Sequence, residues 1–358
     1  MSFLVVDRVS VDYQVQGEWR NVVDDASLTM EKGEVLGLVG ESGCGKTTLA
    51  RALIRLLPKN GRVREGRVVF DGRNLFEIPP DEFRSMQWDR FSMIFQGAMN
   101  VLDPVFQVGW QINEAIRTHR KDVSRKEAWA RSRELLQRVG VDPQRARSYP
   151  HELSGGMKQR VGIAMAMALS PDLVIADEPT TALDVVTQDN VLGQLTLSQR
   201  EQGFLLIVVS HDMGVIAESC HRVAVMYAGQ IVEMGTAADI FKRPTHPYTI
   251  GLINAIPRIG DPGRAVSIPG YPPDPGSLPG CLFQPRCPFR QPVCTERPPW
   301  TQTTPDHGER CFFPGKWQEF AEQARRAEVW EGVGERLVKE REAAELQIST
   351  PEPTTDGA

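Results

Sequence analysis

Gly40-Glu41-Ser42-Gly43-Cys44-Gly45-Lys46-Thr47 decides how this chain is read. It carries the G-x-x-x-x-G-K-[ST] pattern at every fixed position. The apolar run Val35-Leu36-Gly37-Leu38-Val39 precedes it and predicts a buried strand, and a helical pattern over Thr48 to Leu57 follows. In that strand–loop–helix setting the glycines let successive backbone N–H groups turn inward around phosphates. They do so at a helix N-terminus whose partial charge favours anions. Lys46 would add a point charge on the β- and γ-phosphates, and Thr47 a hydroxyl for Mg²⁺. The alternative, a glycine-rich turn with a chance lysine, does not explain the flanking strand and helix. The chain is expected to bind a nucleotide.

The 358 residues exceed one ordinary domain. With 41% hydrophobic and 24% charged residues the composition is globular. The net charge of −5 argues against a nucleic-acid partner, whose binders are normally basic. The opening Met1-Ser2-Phe3-Leu4-Val5-Val6-Asp7-Arg8 lacks a basic region followed by a long apolar core, so no secretory signal is expected. No stretch approaches the ~20 apolar residues that span a bilayer. An intracellular protein follows as the expectation.

Alternating apolar residues from Phe3 to Tyr13 and from Arg67 to Phe70 predict an antiparallel sheet near the N-terminus. An amphipathic helix is predicted over Arg125 to Val139, with Leu135, Leu136 and Val139 on one face. Strands at Leu173 to Ala176 and Leu205 to Val209, separated by a helix from Thr187 to Gln202, imply a parallel sheet in an α/β core. Val223–Met226 and Gln230–Glu233, split by Ala228-Gly229, read as a hairpin. After Pro257 prolines crowd the chain and periodicity disappears.

Further chemistry follows the phosphate loop in order. The strand Leu173-Val174-Ile175-Ala176 ends in Asp177-Glu178: Asp177 would hold Mg²⁺ through water, and Glu178 would orient the attacking water. Upstream, Leu153-Ser154-Gly155-Gly156-Met157-Lys158-Gln159-Arg160 offers a helix cap at Ser154 and two glycines that admit an anion. This segment resembles the signature motif of the ATP-binding cassette (ABC) ATPases. Gln96 after Phe91-Ser92-Met93-Ile94-Phe95, Ala182-Leu183-Asp184 and His211 stand in that family's order and spacing, and the resemblance covers roughly residues 3 to 257.

The resemblance implies a P-loop α/β nucleotide-binding domain over residues 1–257, with a parallel core, an N-terminal antiparallel β subdomain and a helical subdomain at about 97–170. Gly40, Glu41, Ser42, Gly43, Cys44, Gly45, Lys46, Thr47 and Thr48 would line the phosphates, and Tyr13 would stack on adenine unless it is an ordinary strand residue. Thr47, Gln96 and Asp177 would hold Mg²⁺. Glu178, His211 and Gln96 would be catalytic, with His211 on the γ-phosphate and Gln96 also sensing a membrane partner. Two cassettes would pair head to tail, with Ser154, Gly155 and Gly156 of one closing over ATP held by the other and Asp184 communicating across the dimer. Cys44 replaces the more frequent serine, but it is the backbone N–H there that contacts phosphate.

Residues 258–315 form a Pro-rich extension, 316–347 a charged helical pattern and 348–358 a polar tail expected to be disordered. Arg243-Pro244-Thr245-His246-Pro247-Tyr248-Thr249 and Gly280-Cys281-x-Phe283-x-x-Arg286-Cys287-Pro288 resemble the corresponding segments of oligopeptide and dipeptide importers. The four cysteines Cys281, Cys287, Cys294 and Cys311, spaced C-x₅-C-x₆-C-x₁₆-C, suit a [4Fe–4S] cluster, a zinc ion or two disulfides. Tight C-x₂₋₄-C pairs are absent, which disfavours zinc, and the resemblance favours the cluster; a segment without an obvious core of its own suggests a structural staple, with redox or iron sensing as the alternative. The implied assembly is a peripheral ATPase on the cytoplasmic face of the membrane. It would join a second cassette, two permease subunits and an extracytoplasmic solute-binding protein. Importers of nickel, glutathione or oligosaccharides, and a soluble non-transport ABC ATPase, stay open as alternatives.

Overall fold

A computed structural model describes residues 2–97, 101–181, 184–256 and 266–349. The N-terminal part is an antiparallel sheet. Its strands β1 (Leu4–Val15), β2 (Glu18–Met30), β4 (Gly61–Phe70) and β5 (Arg73–Asn74) pair in the order β2-β1-β4-β5. Between them the chain leaves for the main sheet as β3 (Val35–Val39) and α1 (Lys46–Leu53). The expected antiparallel sheet is present, with β2 as an additional long strand. Helix α1 stops four residues before the predicted Leu57, because Arg55 takes a left-handed backbone (φ 53°) that no helix continues through.

The main sheet adds β6 (Phe91–Ile94), β7 (Leu173–Asp177), β8 (Leu205–Ser210), β9 (Arg222–Tyr227), β10 (Gln230–Thr236), β11 (Thr301–Thr304) and β12 (His307–Glu309). Their order is β11-β12-β10-β9-β3-β8-β7-β6. Strands β6, β7, β8, β3 and β9 run parallel, so their C-terminal ends open on one edge of the sheet. The apolar runs noted in the sequence follow from this placement. Alternate residues of each strand enter opposite cores: Leu36, Leu38, Leu173, Ile175, Leu205 and Ile207 face α1 and the antiparallel sheet. Val35, Val39, Val174, Ala176, Leu206 and Val208 face the other side. A sheet covered on both faces needs apolar residues at every position.

The helices between these strands are α2 (Pro80–Met86), α3 (Val108–His119), α4 (Arg125–Arg138), α5 (Gly155–Ala166), α6 (Val185–Gln202) and α7 (Met213–Ser219). Helix α4 occupies the predicted span, opened by a capping box between Ser124 and Glu127 and burying Leu135 and Leu136. Helices α3, α4 and α5 fill the span expected of a helical subdomain. The β9–β10 hairpin turns through Ala228 (φ 44°) and Gly229 (φ 86°), as read from the sequence.

The C-terminal region departs from expectation in two ways. The Pro-rich segment is not wholly irregular: β12 pairs with β10 and β11 with β12, so the extension widens the cassette's own sheet. The charged pattern after Lys316 is two helices rather than one. After α8 (Ala237–Lys242) and α9 (Pro247–Asn254) come α10 (Trp317–Gln323) and α11 (Ala327–Ser349). The break between them lets Trp330 fold back, its indole N–H donating to the Ala324 carbonyl at 2.9 Å. Leu282, Phe283, Cys287, Phe320, Ala324 and Trp330 belong to the same apolar core as β7 and β8. The segment has no core of its own because it shares the cassette's. The predicted tail at 348–358 lies almost entirely outside the described residues.

Candidate nucleotide site

The phosphate loop sits where β3 ends and α1 begins. Gly40 (φ 148°) has no room for a side chain, since a Cβ there would lie 2.1 Å from the Met226 carbonyl oxygen. Gly45 (φ 99°) caps α1 in a left-handed conformation, and its Cβ would meet the Val22 carbonyl oxygen at 2.8 Å. The loop is thus wound against β9 at Gly40 and β2 at Gly45. Lys46 is 5% exposed, and its ammonium donates to the carbonyls of Gly40 (2.8 Å) and Glu41 (2.9 Å). Cys44 is buried beneath it, and burial raises its thiol pKa, which keeps a negative sulfur away from the phosphates.

The other parallel strands deliver their residues to the same edge. From β7, Asp177 is fully buried and accepts the Thr47 hydroxyl at 2.9 Å through Oδ1. Its Oδ2 is buried with no hydrogen-bond partner, and burial raises its pKa. A buried carboxylate with one oxygen unsatisfied beside a phosphate loop fits a divalent cation held by Thr47 and Asp177. The next residue, Glu178, is left-handed (φ 46°), an uncommon conformation for a non-glycine residue. It is fixed by its N–H donating to the Val209 carbonyl of β8 at 2.9 Å.

Three side chains converge on the Glu178 carboxylate. Gln96, at the end of β6, donates to Oε2 at 2.6 Å, and the Thr181 hydroxyl donates to the same oxygen at 2.9 Å. His211, which follows β8, has Nδ1 3.4 Å from Oε1. Phosphate loop, Asp177-Glu178, Gln96 and His211 therefore come from four adjacent strand ends, the place where open α/β sheets bind ligands.

The remaining predicted residues lie elsewhere. Ser154 caps α5, its hydroxyl accepting from the Met157 N–H at 3.3 Å, with Gly155 and Gly156 in the first turn. Asp184 caps α6 through the Thr187 N–H and hydroxyl, while its neighbours Ala182 and Leu183 lie outside the described residues. Tyr13 is a β1 residue opposite Gly61 and Arg20, with its ring where a Gly61 side chain would stand. Phe95 helps line an apolar cleft with Ile54, Leu56, Trp88, Phe91 and Met93.

Cys281, Cys287, Cys294 and Cys311 are all free thiols and line one cavity with Phe283, Phe289, Phe313 and Phe320. Burial raises the thiol pKa of Cys281 to about 11 and of Cys311 to about 12. Among the described residues no three His, Cys, Asp or Glu side chains are gathered as a single metal ion would need. That arrangement supports neither the expected [4Fe–4S] cluster nor zinc, and the free thiols form no disulfide.

Sequence reasoning named Thr245, His246 and Arg286 only as motif residues and missed Glu233, His307 and the contacts that tie the extension down. Glu233 of β10 is fully buried and accepts from the Thr245 N–H and hydroxyl and the His246 N–H, with His307 Nε2 at 2.8 Å. Arg286 reaches the phosphate loop itself. An acid and an arginine 245 positions apart leave no local signal in a single sequence.

This fold and edge define a P-loop nucleotide-binding cassette. The ABC transporter family profile matches residues 23–181, and the oligopeptide/dipeptide transporter C-terminal region matches residues 232–294. The oligopeptide transport ATP-binding protein OppD of Salmonella typhimurium is 45% identical over 296 residues, covering 82% of this chain and 88% of that protein. OppD of Haemophilus influenzae is 45% identical over 291 residues, covering 80% and 89%. A dimeric structure of MJ0796, a bacterial ABC transporter cassette, superposes with a TM-score of 0.59 at 28% identity, covering 65% of this chain and 98% of that one. The chain belongs to the ABC transporter ATPases of the oligopeptide/dipeptide class. Among the described residues no helix is long and apolar enough to cross a membrane.

Proposed function

We propose that this chain hydrolyses ATP to drive peptide uptake, seated peripherally on the cytoplasmic face of a membrane permease. The observation that carries the reading is the convergence of Gln96, Thr181 and His211 on Glu178, next to Lys46 and the Thr47–Asp177 pair. When ATP enters, Lys46 exchanges the Gly40 and Glu41 carbonyls for the β- and γ-phosphate oxygens. Thr47 and Asp177, with Gln96, would hold magnesium, which would neutralise charge on those oxygens. Glu178 orients a water and takes its proton as the water oxygen attacks the γ-phosphorus. The bond to the β–γ bridging oxygen breaks, releasing ADP and phosphate. His211 donates to the γ-phosphoryl group. Tyr13 supplies an aromatic face for adenine.

The second cassette closes the site. Ser154, Gly155 and Gly156 at the N-terminus of α5 present N–H groups to the γ-phosphate of the partner's ATP, in a head-to-tail dimer; the MJ0796 cassette is likewise dimeric. Asp184 lies at the same junction. A permease helix fits the apolar cleft lined by Trp88, Met93 and Phe95, one residue from Gln96, so docking bears on the residue that touches Glu178. The cluster reading rests on the family resemblance and on the four thiols lining one cavity; a [4Fe–4S] cluster there would bind them as thiolates. Its role is to staple residues 281–311.

The test is an anaerobic pull-down of the full chain from mildly solubilised membranes. Recovery of two polytopic permeases and a second cassette is expected, with the associated solute-binding protein indicating the cargo. Recovery with ribosomes or DNA and no permease would overturn the transport reading.

A further inference from the structure

The second residue of the phosphate loop is an acid, and a carboxylate is a poor neighbour for a triphosphate. The fold turns it away. Glu41 is held at three points: its N–H donates to the Tyr248 hydroxyl at 2.9 Å, its carbonyl accepts from Lys46, and its carboxylate is gripped by Arg286. The grip is bidentate, with Arg286 Nη1 2.7 Å from Oε2 and Nη2 2.9 Å from Oε1.

Arg286 is itself immobilised. Its side chain is 2% exposed and all five N–H donors are used. Nε donates to the Pro269 carbonyl at 2.9 Å, Nη2 also to the Ile268 carbonyl at 3.3 Å, and Nη1 also to the Tyr227 hydroxyl at 3.3 Å. The next residue is Cys287, buried in the cysteine-lined cavity. A rigid path therefore runs from the cysteine segment to the phosphate loop.

We infer that Arg286 is a positioning residue for the nucleotide site, through which the cysteine-bearing segment fixes the phosphate loop in its binding shape. The inference rests on the ATPase reading above and extends it to a part of the chain outside the phosphate-binding motifs. Two charges arranged only to cancel would need no such geometry. A guanidinium with every donor spent, clamping a loop residue also held by Tyr248, restrains the backbone whose N–H groups receive phosphate.

The sign of one effect separates positioning from simple electrostatics. Removing the Glu41 carboxylate takes a negative charge from beside the phosphates, which by charge alone tightens ATP binding. If the pair positions the loop, Glu41→Ala weakens it instead. The experiment is calorimetric titration of the full chain, purified anaerobically, with MgATP, alongside steady-state hydrolysis. The variants are Glu41→Ala, Arg286→Met, Arg286→Lys and the double Glu41→Ala/Arg286→Met.

Each neutral single substitution is expected to raise Kd about tenfold, within the range of coupled neighbours, and the double no further. KM should rise with Kd while kcat falls less, and Arg286→Lys should recover part of the loss. Unchanged or tighter binding by Glu41→Ala, or effects of the two substitutions that multiply, would overturn the inference. If Arg286→Met does not fold, Glu41→Ala still decides it. A wild-type chain that fails to bind MgATP, like a Lys46→Ala control, would instead defeat the ATPase reading.

Discussion

The side-chain amide of Gln96 donates to the Glu178 carboxylate at 2.6 Å, joining the ends of β6 and β7. The residue beside the apolar cleft is therefore in contact with the carboxylate proposed to activate water. If a permease docks in that cleft as proposed, a shift of Gln96 would change the hydrogen-bonding of Glu178 directly. Glu178→Gln keeps an acceptor for Gln96 and Thr181 but cannot take a proton. Steady-state ATP hydrolysis should fall by about 10² or more while MgATP binding persists. Turnover at the wild-type rate would remove Glu178 from the mechanism.

Asp177 is buried as an acid with one oxygen unsatisfied. Its raised pKa means that the folded state favours its protonated form, so its contribution to stability declines as pH rises through the folded value. Asp177→Asn retains an acceptor for Thr47 and carries no buried charge. The nucleotide-free variant is expected to be as stable as the wild type or more so at neutral pH, by thermal unfolding, and to lose the magnesium dependence of ATP binding.

Cys44 lies under Lys46 with its sulfur 3.8 Å from the ammonium. The phosphate loop needs its backbone, not its thiol. Cys44→Ser should change MgATP affinity less than about threefold, consistent with a near-isosteric change. Because burial keeps the thiol protonated, alkylation of Cys44 in the native chain should be slow, as read by mass spectrometry of the digested protein.

The seam between β10 and β12 titrates near neutrality. Glu309 is fully buried beside Glu233, and its pKa is raised to about 7, chiefly by burial; His307 is also raised, held in its charged form by Glu233. Both groups bind protons more tightly when folded, so the stability they confer is lost as pH rises, for Glu309 from its ordinary 4.5 up to about 7 and for His307 above its ordinary 6.5. Glu233 is lowered by its hydrogen bonds and acts oppositely, losing its contribution only in acid. The thermal midpoint should decline on that rise, and Glu309→Gln should flatten the decline. An equal slope in the variant would place the titrating group elsewhere.

The proposed [4Fe–4S] cluster predicts a coloured protein. Anaerobically purified chain should carry about four irons and absorb in the visible range. Single Cys→Ser substitutions at Cys281, Cys287, Cys294 or Cys311 should lower iron content and loosen residues 281–311 to proteolysis. A colourless, iron-free chain of full stability would leave the four thiols as packing residues.

Much of this arrangement is legible in the amino-acid sequence. The phosphate loop, the Asp177-Glu178 strand end and the signature cap at Ser154 are local: each needs a fixed spacing within one strand, turn or helix, and spacing is what a sequence displays. The strands β7 and β8 are equally plain, because a sheet buried on both faces writes an unbroken apolar run. Tertiary structure alone decides what lies between distant segments. Glu41 and Arg286, or Glu233 and His307, meet because β12 adds to the edge of the cassette's sheet and carries the Pro-rich segment against the phosphate loop. That segment has no periodicity to read, since its apolar residues fill gaps in a core made by other strands. Its placement depends on long-range packing and buried ion pairs, whose partners are close in space and far apart in the chain.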